Sequence, residues 1–307
     1  MSRPTRNSVS DTLSAAPLAA PPPAWWLRAL GAVSFPVLHE LSGTVAWLVR
    51  VVVRFRLRTV RANLRRCFPG MSAEQLSATV RTHYRDMTVT GLELAKLATF
   101  NAAELRERVR LIDVAKPTAA LAAGHKVMLL GAHQGNWEWL LQRLAVEFAP
   151  HFVCAYKPLR SARFDRDFLN LRSRFGATMV PAKGMLRALL RKREAHVTAM
   201  AADQMPHSSP SRVWLSFLGQ KTAFYPGPAE IAARYGYAAW YMVVNRRAPG
   251  FYDVEFLPIA AADARLDARI FTARYAECLE ARLRRVPSDW AWGHRRWKLD
   301  PPVDIKT

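Results

Sequence analysis

Three cysteines in 307 residues, Cys67, Cys154 and Cys278, are too few and too scattered for a disulfide framework, and none has CxxC or CxxH spacing. A cysteine zinc site is excluded with it, a reducing compartment is implied, and each thiol is expected to pack as a small hydrophobe. Acid is scarce too: 24 Asp and Glu against 45 Lys and Arg leave a net charge of +21. That balance favours anionic partners, whether nucleic acid, acidic lipid or an acidic carrier protein. The heavy use of arginine with alanine assigns part of the excess to codon usage. The chain has no GxSxG elbow, no Walker A loop, no GxGxxG and no HExxH. Serine hydrolysis, nucleotide hydrolysis, dinucleotide binding and zinc proteolysis therefore lose ground. RRM, KH and zinc-finger patterns are missing as well, which leaves nucleic-acid binding a remote reading.

Half the residues are apolar and a tenth aromatic, enough for a sizeable core. Residues 1–23, rich in Ser, Ala and Pro, read as a disordered tail without the regions of a signal peptide. Residues 24–70 change character. "WWLRALGAVSFPVLHELSGTVAWLVRVVV" is long enough to cross a bilayer, but Arg28, Pro36, His39 and Glu40 interrupt it. A mid-span glutamate costs about 2.5–3.5 kcal/mol. A hydrophobic anchor helix that dips into the membrane or lies on it is the expectation, with a single span and a buried core helix as alternatives. The cluster of Arg54, Arg56, Arg58, Arg61, Arg65 and Arg66 that follows suits anionic headgroups on the cytoplasmic side.

Residues 71–302 carry the remaining order, with a short tail at 303–307. Residues 72–112 read as helical, opened by a capping box at Ser72 and Gln75. Strand-like runs follow at 127–130, 152–156, 177–180, 197–201, 239–244 and 252–257, with helical patterns at 137–148, 164–175, 184–193 and 227–235. The alternation predicts a single α/β domain: a mixed, largely parallel sheet flanked by helices, with ligands near the carboxyl ends of its strands. A helical, membrane-associated part precedes it.

One of those strand ends is chemically conspicuous. In "VMLLGAHQGNWEWL" an apolar run stops at His133, with Glu138 five residues on. Five residues place two side chains about 140° apart on a helix, so they do not share a helical face. The expected geometry puts His133 in the loop after the strand and Glu138 in the first turn of the next helix, folding back to the imidazole. A carboxylate on one ring nitrogen fixes the tautomer and leaves the other as a base for a hydroxyl.

That His-x4-Glu after a strand resembles the HX4(D/E) motif of glycerolipid-type acyltransferases, and "HQGNWE" resembles their branch that performs late acylation of lipid A. "RANLRRCFP" at 61–69, "YKPLRSARFDRDFLNLRSRFGATMVP", "AADQ", "FLG", "GPAEIAARYG" and "WAWGHRRWK" are similar to further segments of that family, in the same order. The likeness runs from Trp25 to Pro302. It implies transfer of a fatty acyl chain from acyl carrier protein or acyl-CoA to a hydroxyl of a membrane glycolipid at the cytoplasmic face of the inner membrane, without cofactor or metal. By resemblance His133 is the general base, Glu138 its orienting partner, and Arg172 a phosphate or oxyanion ligand, with Arg174 its near alternative. Asn136, Trp137, Asp203, Gln204, His294, Arg295 and Arg296 are the candidate substrate contacts; Asp203 reads as more structural, with a place at a strand end that could put it beside the site, and His294, Arg295 and Arg296 either bind headgroup phosphates or cap the fold. "QMPHSSPSRVW" and "KTAFYPGP" depart from the family pattern, which leaves other acceptors (a lysophospholipid, an amino-acid or mannosyl lipid) as alternatives.

Overall fold

The computed structural model describes residues 21–301 except 193 and 207–210; the tail expected over 1–23 falls almost wholly, and that over 303–307 wholly, outside the described residues. Helices α1 (Trp25–Ala32), α2 (Phe35–Trp47), α3 (Leu57–Cys67), α4 (Ala73–Glu93) and α5 (Ala102–Arg108) lead to strand β1 (Val109–Ile112). Then α6 (Ala115–Ala122), β2 (Val127–Gly131), α7 (Trp137–Phe148), β3 (Phe152–Tyr156), α8 (Ala162–Ser173), β4 (Thr178–Pro181), α9 (Met185–Arg191) and β5 (Val197–Ala201) alternate. A hairpin of β6 (Val213–Phe217) and β7 (Gln220–Phe224), helix α10 (Gly227–Tyr235), strands β8 (Ala238–Ala248) and β9 (Phe251–Ala260) and helix α11 (Ala268–Arg285) complete the order.

Seven strands form one sheet in the order β1-β9-β8-β2-β5-β3-β4. All neighbours are parallel except β8 and β9. The expected α/β domain with a mixed, largely parallel sheet is what the chain forms. Alternate residues of the central strands feed two cores. Met128, Leu130, Tyr241 and Val243 meet α3, α4, α10 and α11, while Val127, Leu129, Trp240 and Met242 meet α1, α5 and α7. Side chains of period two on a strand covered on both faces give this division directly.

The structure adds elements to the sequence reading. Val109–Ile112, inside the stretch expected to be helical, is an edge strand held in parallel by β9, and four residues are too few to show their own period. The β6–β7 hairpin turns at Leu218-Gly219, both at positive φ, a two-residue turn that the Leu-Gly pair announced only weakly. Helix α11 had a legible signal: an Asp267 cap and buried Phe271, Tyr275, Leu279 and Leu283 four apart.

The segment expected to be one anchor helix is two, bent by 104° between Ala32 and Phe35. Gly31 lies so close to the next layer that a Cβ would stand 2.5 Å from the Ala95 carbonyl oxygen. Lys96 Nζ donates to the Gly31 oxygen at 2.9 Å and to the Val33 oxygen, fixing the corner, and Pro36 starts the second helix. No single helix among the described residues is long and apolar enough to cross a membrane; the bent pair passes only by length and composition. Helix α2, continued by a π-helical turn (Leu48–Val52), buries Leu38, Ser42 and Ala46 and turns Val37, Leu41, Leu48 and Val52 outward. Arg54, Arg58, Arg61, Arg65 and Arg66 are exposed just beyond it.

Candidate active site

Strands β2 and β5 are parallel neighbours with Gly131 paired to Ala201. His133 and Asp203 each lie two residues beyond that pair, so strand spacing alone brings them together at the carboxyl edge of the sheet. The His133 Nδ1 is 2.8 Å from Asp203 Oδ1, and the His133 backbone N–H donates to Asp203 Oδ2 at 3.0 Å. Trp290 Nε1 donates to the same oxygen at 2.8 Å. With three donors around it the buried Asp203 stays ionised. Burial would raise its pKa, but the charge and hydrogen bonds of His133 and the Trp290 bond hold it at about 2. An ionised Asp203 requires the proton on Nδ1, which leaves Nε2 as the basic nitrogen. The Gln204 amide approaches that nitrogen at 3.3 Å. Burial lowers the basicity of His133; the charge and hydrogen bond of Asp203 and the charge of Glu138 outweigh it and the opposing Arg172, so its pKa stands above the ordinary histidine value.

The hydrogen-bond partner of the imidazole is therefore Asp203 and not, as the sequence suggested, Glu138. Asn136 caps α7 by accepting from the Trp139 N–H at 3.0 Å, which puts Glu138 in the first turn. Glu138 and Gln142, four apart, share the face packed on α8. Gln142 Nε2 donates to the Arg172 carbonyl oxygen at 2.7 Å, and Glu138 receives Arg172 Nε at 2.9 Å and Nη2 beside it. This two-point fork holds the guanidinium in one plane. Burial opposes the Arg172 charge, but its bonds and attraction to Glu138 leave its pKa raised.

His133, Trp137, Glu138 and Arg172 line one cavity of about 330 Å³, whose other walls include Leu140, Leu141, Met179, Met200 and Met242. A mostly apolar lining with a few polar groups suits a hydrocarbon chain carrying a reactive head. Trp137 meets the His133 ring edge-on, with centroids 5.5 Å apart. Cys154 also faces the cavity, but burial pushes its thiol up to about 12, which makes it a poor nucleophile.

A family model described as bacterial lipid A biosynthesis acyltransferase matches residues 24–299. The chain belongs to that family. It is 26% identical over 224 residues to a phosphatidylinositol mannoside acyltransferase of Mycobacterium tuberculosis (strain ATCC 25618 / H37Rv), covering 68% of this chain and 66% of that relative. The chain thus spans just under two thirds of that protein's length. The Mycolicibacterium smegmatis protein of the same name is 24% identical over 251 residues, 78% of this chain and 79% of its own. A lipid A biosynthesis lauroyltransferase of Escherichia coli (strain K12) is 23% identical over 292 residues, 91% of this chain and 94% of its own.

The family segments converge on the His133 loop, but several predicted contacts lie elsewhere. Asn136 is buried, occupied by the α7 cap and by a 2.8 Å bond from its Nδ2 to Glu93 Oε2, so it faces no cavity. Arg174, two residues past Arg172 and so rotated to the far side, donates to the carbonyl oxygens of Leu97 and Phe100. Arg296 is buried with its guanidinium 4.6 Å from the Phe224 ring centroid, out of reach of a headgroup in solution. His294 and Arg295 are not among the cavity's lining residues, and the Arg295 side chain is exposed. The "WAWGHRRWK" segment braces the His133 loop, the structural one of its two expected roles. The Ala291 N–H donates to the His133 carbonyl oxygen at 3.1 Å, and Asn63 of "RANLRRCFP" holds the Trp292 and His294 oxygens at 2.8 and 3.0 Å.

Sequence reasoning missed Asp289, which accepts from the Gly135 N–H at 2.8 Å while paired with Arg282. It also missed Glu93. Only for Asp203 was there a signal, a carboxylate two residues past a strand, as His133 is. Gly135 itself is forced: φ is +56° and a Cβ would stand 2.6 Å from Val244 Cγ1.

Proposed function

We propose that the protein is an O-acyltransferase that moves a fatty acyl chain from a thioester, on acyl carrier protein or coenzyme A, to a hydroxyl of a membrane glycolipid. The observation that carries the reading is an imidazole held by Asp203 on one nitrogen in the lining of a largely apolar cavity. In the proposed step, His133 Nε2 takes the proton of the acceptor hydroxyl as its oxygen attacks the thioester carbonyl. The resulting oxyanion collapses, the carbon–sulfur bond breaks, and the imidazolium returns the proton to the departing thiolate. Asp203 stabilises the imidazolium between the two transfers. Arg172, aimed by Glu138, stabilises the oxyanion through the guanidinium N–H groups that Glu138 does not occupy. Trp137 and Gln204 border the imidazole and contact the reacting groups. No metal or organic cofactor enters this scheme.

The acceptor is read as a lipid A precursor, on the family match over residues 24–299. A mannosylated phosphatidylinositol is the second reading, favoured by the names of the two mycobacterial relatives. Val37, Leu41, Leu48 and Val52 with the following arginines support seating on the anionic cytoplasmic face of the inner membrane.

Purified protein supplied with acyl carrier protein thioester and each acceptor in turn should yield a product heavier by one acyl chain by mass spectrometry. His133→Ala should lose about 10²–10⁴ in rate. Near-normal turnover in that variant would overturn the mechanism, and transfer to neither acceptor would overturn the substrate class.

A further inference from the structure

His39 is one of the residues that break the apolar character of the N-terminal segment, and the catalytic scheme does not use it. On α2 it sits at the border between the outward apolar stripe and the packed face, its side chain 18% exposed. Its Nε2 meets Glu93 Oε1 at 2.8 Å. Glu93, at the end of α4, is fully buried. Its other carboxylate oxygen accepts from Asn136 Nδ2 at 2.8 Å and from the Tyr252 hydroxyl at 2.6 Å, and its backbone oxygen accepts from Trp139 Nε1 at 2.8 Å. One turn earlier Thr90 Oγ1 donates to the Gly135 carbonyl oxygen at 3.2 Å. The end of α4 therefore grips the loop between His133 and Glu138 from below, while one oxygen of Glu93 reaches out to the helix that carries the exposed apolar stripe.

A fully buried carboxylate persists only where every contact is well made, so displacement of one partner is felt by the others. The contacts run unbroken from α2 to the cap of α7. We propose that Glu93 is a positioning residue that transmits the seating of α2 on an anionic lipid surface to the catalytic loop, with His39 as its input contact. The inference rests on the reading that α2 faces lipid. Off the membrane, α2 is held only by its packed face and the loop samples open arrangements. On the membrane, α2 is pinned, the His39–Glu93 contact is fixed, and Asn136 is held in the capping geometry that aims both His133 and Glu138.

Hydrogen exchange of the full chain, read by mass spectrometry over residues 131–141 with and without phosphatidylglycerol vesicles, tests this without knowledge of the acceptor. In the unaltered protein the vesicles should slow exchange there about tenfold, within the usual range of coupling between sites. His39→Leu keeps α2 apolar and should still co-sediment with the vesicles, yet its loop should gain less than about twofold protection. His39→Gln, which keeps a donor toward Glu93, should restore the effect. A role confined to stability would change the baseline and leave the vesicle increment in place. Full vesicle protection in His39→Leu overturns the relay, as does absence of any increment in the unaltered protein that still binds vesicles. Failure of the unaltered protein to co-sediment removes the lipid-facing reading and the relay with it, a result separable from the others. Because His39→Leu leaves Glu93 and its buried bonds in place, the test does not depend on a Glu93 variant folding.

Discussion

Helices α2 and α7 are of similar length, thirteen and twelve residues, and both are rich in large apolar side chains, yet they meet opposite surroundings. Helix α7 buries Trp139, Leu140, Leu144, Ala145 and Phe148, and also its polar Glu138, Gln142 and Arg143. Helix α2 buries only Leu38, Ser42 and Ala46, leaving Val37 and Leu41 about half exposed, at 47% and 52%. Apolarity alone does not mark the core. What distinguishes α7 is that it buries several polar groups that are mostly paired, Glu138 with Arg172 and Arg143 with the Val109 carbonyl oxygen and Glu147. The outward apolar stripe of α2, beside a run of arginines, is the feature on which the proposed seating at a lipid surface rests.

Seven substitutions sharpen that contrast, those expected to act on turnover first and those expected to act on partitioning or stability after them. Asp203→Asn removes the charge that holds the imidazole proton on Nδ1, and kcat should fall by about 10⁴. With neutral His133 as the proposed base, activity should be lost as pH falls through a pKa that Asp203 raises. The acid limb of the rate profile should therefore move to lower pH in Asp203→Asn. The same limb should move less in Glu138→Gln, since Glu138 acts on the imidazole only through its charge. An acid limb that shifts equally in both variants would restore Glu138 as the orienting partner.

Arg172→Lys cannot keep the fork on Glu138 and should lower kcat by about 10²–10³ with the acceptor KM little changed. A raised KM with kcat preserved would instead make Arg172 a ground-state phosphate ligand. Arg174→Lys is the matched control, expected to leave kcat alone and to cost stability of about 1–2 kcal/mol in denaturant titration, from its bonds to Leu97 and Phe100.

On the other helix the effects change kind. Leu41→Ser and Val52→Ser should each weaken vesicle partitioning by roughly tenfold, from about 1–2 kcal/mol of lost apolar contact per residue. Neither should change thermal stability in detergent-free solution by more than about 0.5 kcal/mol. Trp139→Ala on α7 should do the reverse, costing about 3–5 kcal/mol of stability, because its buried ring packs on Phe100 and Tyr252 and bonds the Glu93 oxygen. A large stability loss in Leu41→Ser would show that α2 is covered by protein in solution.

Much of the molecule was legible in its residues because the signals are local. The periods of apolar residues gave six of the seven strands of the sheet and the helices at Trp137–Phe148 and Gly227–Tyr235, and hence the α/β class. A histidine just past a wholly apolar strand marked the chemical end of the sheet. The Ser-, Ala- and Pro-rich stretch before Trp25 and the arginines from Arg54 onward marked off the apolar segment. Each of these depends on neighbours within about one turn or one strand.

The sequence by itself therefore determined six of the seven strands of the sheet, most of the helices between them, and the position of His133 just past a strand. Only the tertiary structure decided which carboxylate meets the imidazole. That choice depends on strand order: β5 lies beside β2, so Asp203, 70 positions along the chain, outcompetes Glu138, five away. The choice between Arg172 and Arg174 depends on which side of α8 faces α7, and the break in the N-terminal segment depends on Lys96 and the approach of Gly31 to Ala95. Long-range hydrogen bonds and close backbone contacts are set by how layers stack, and a one-dimensional pattern carries the faces of each element but not the identity of what packs against them.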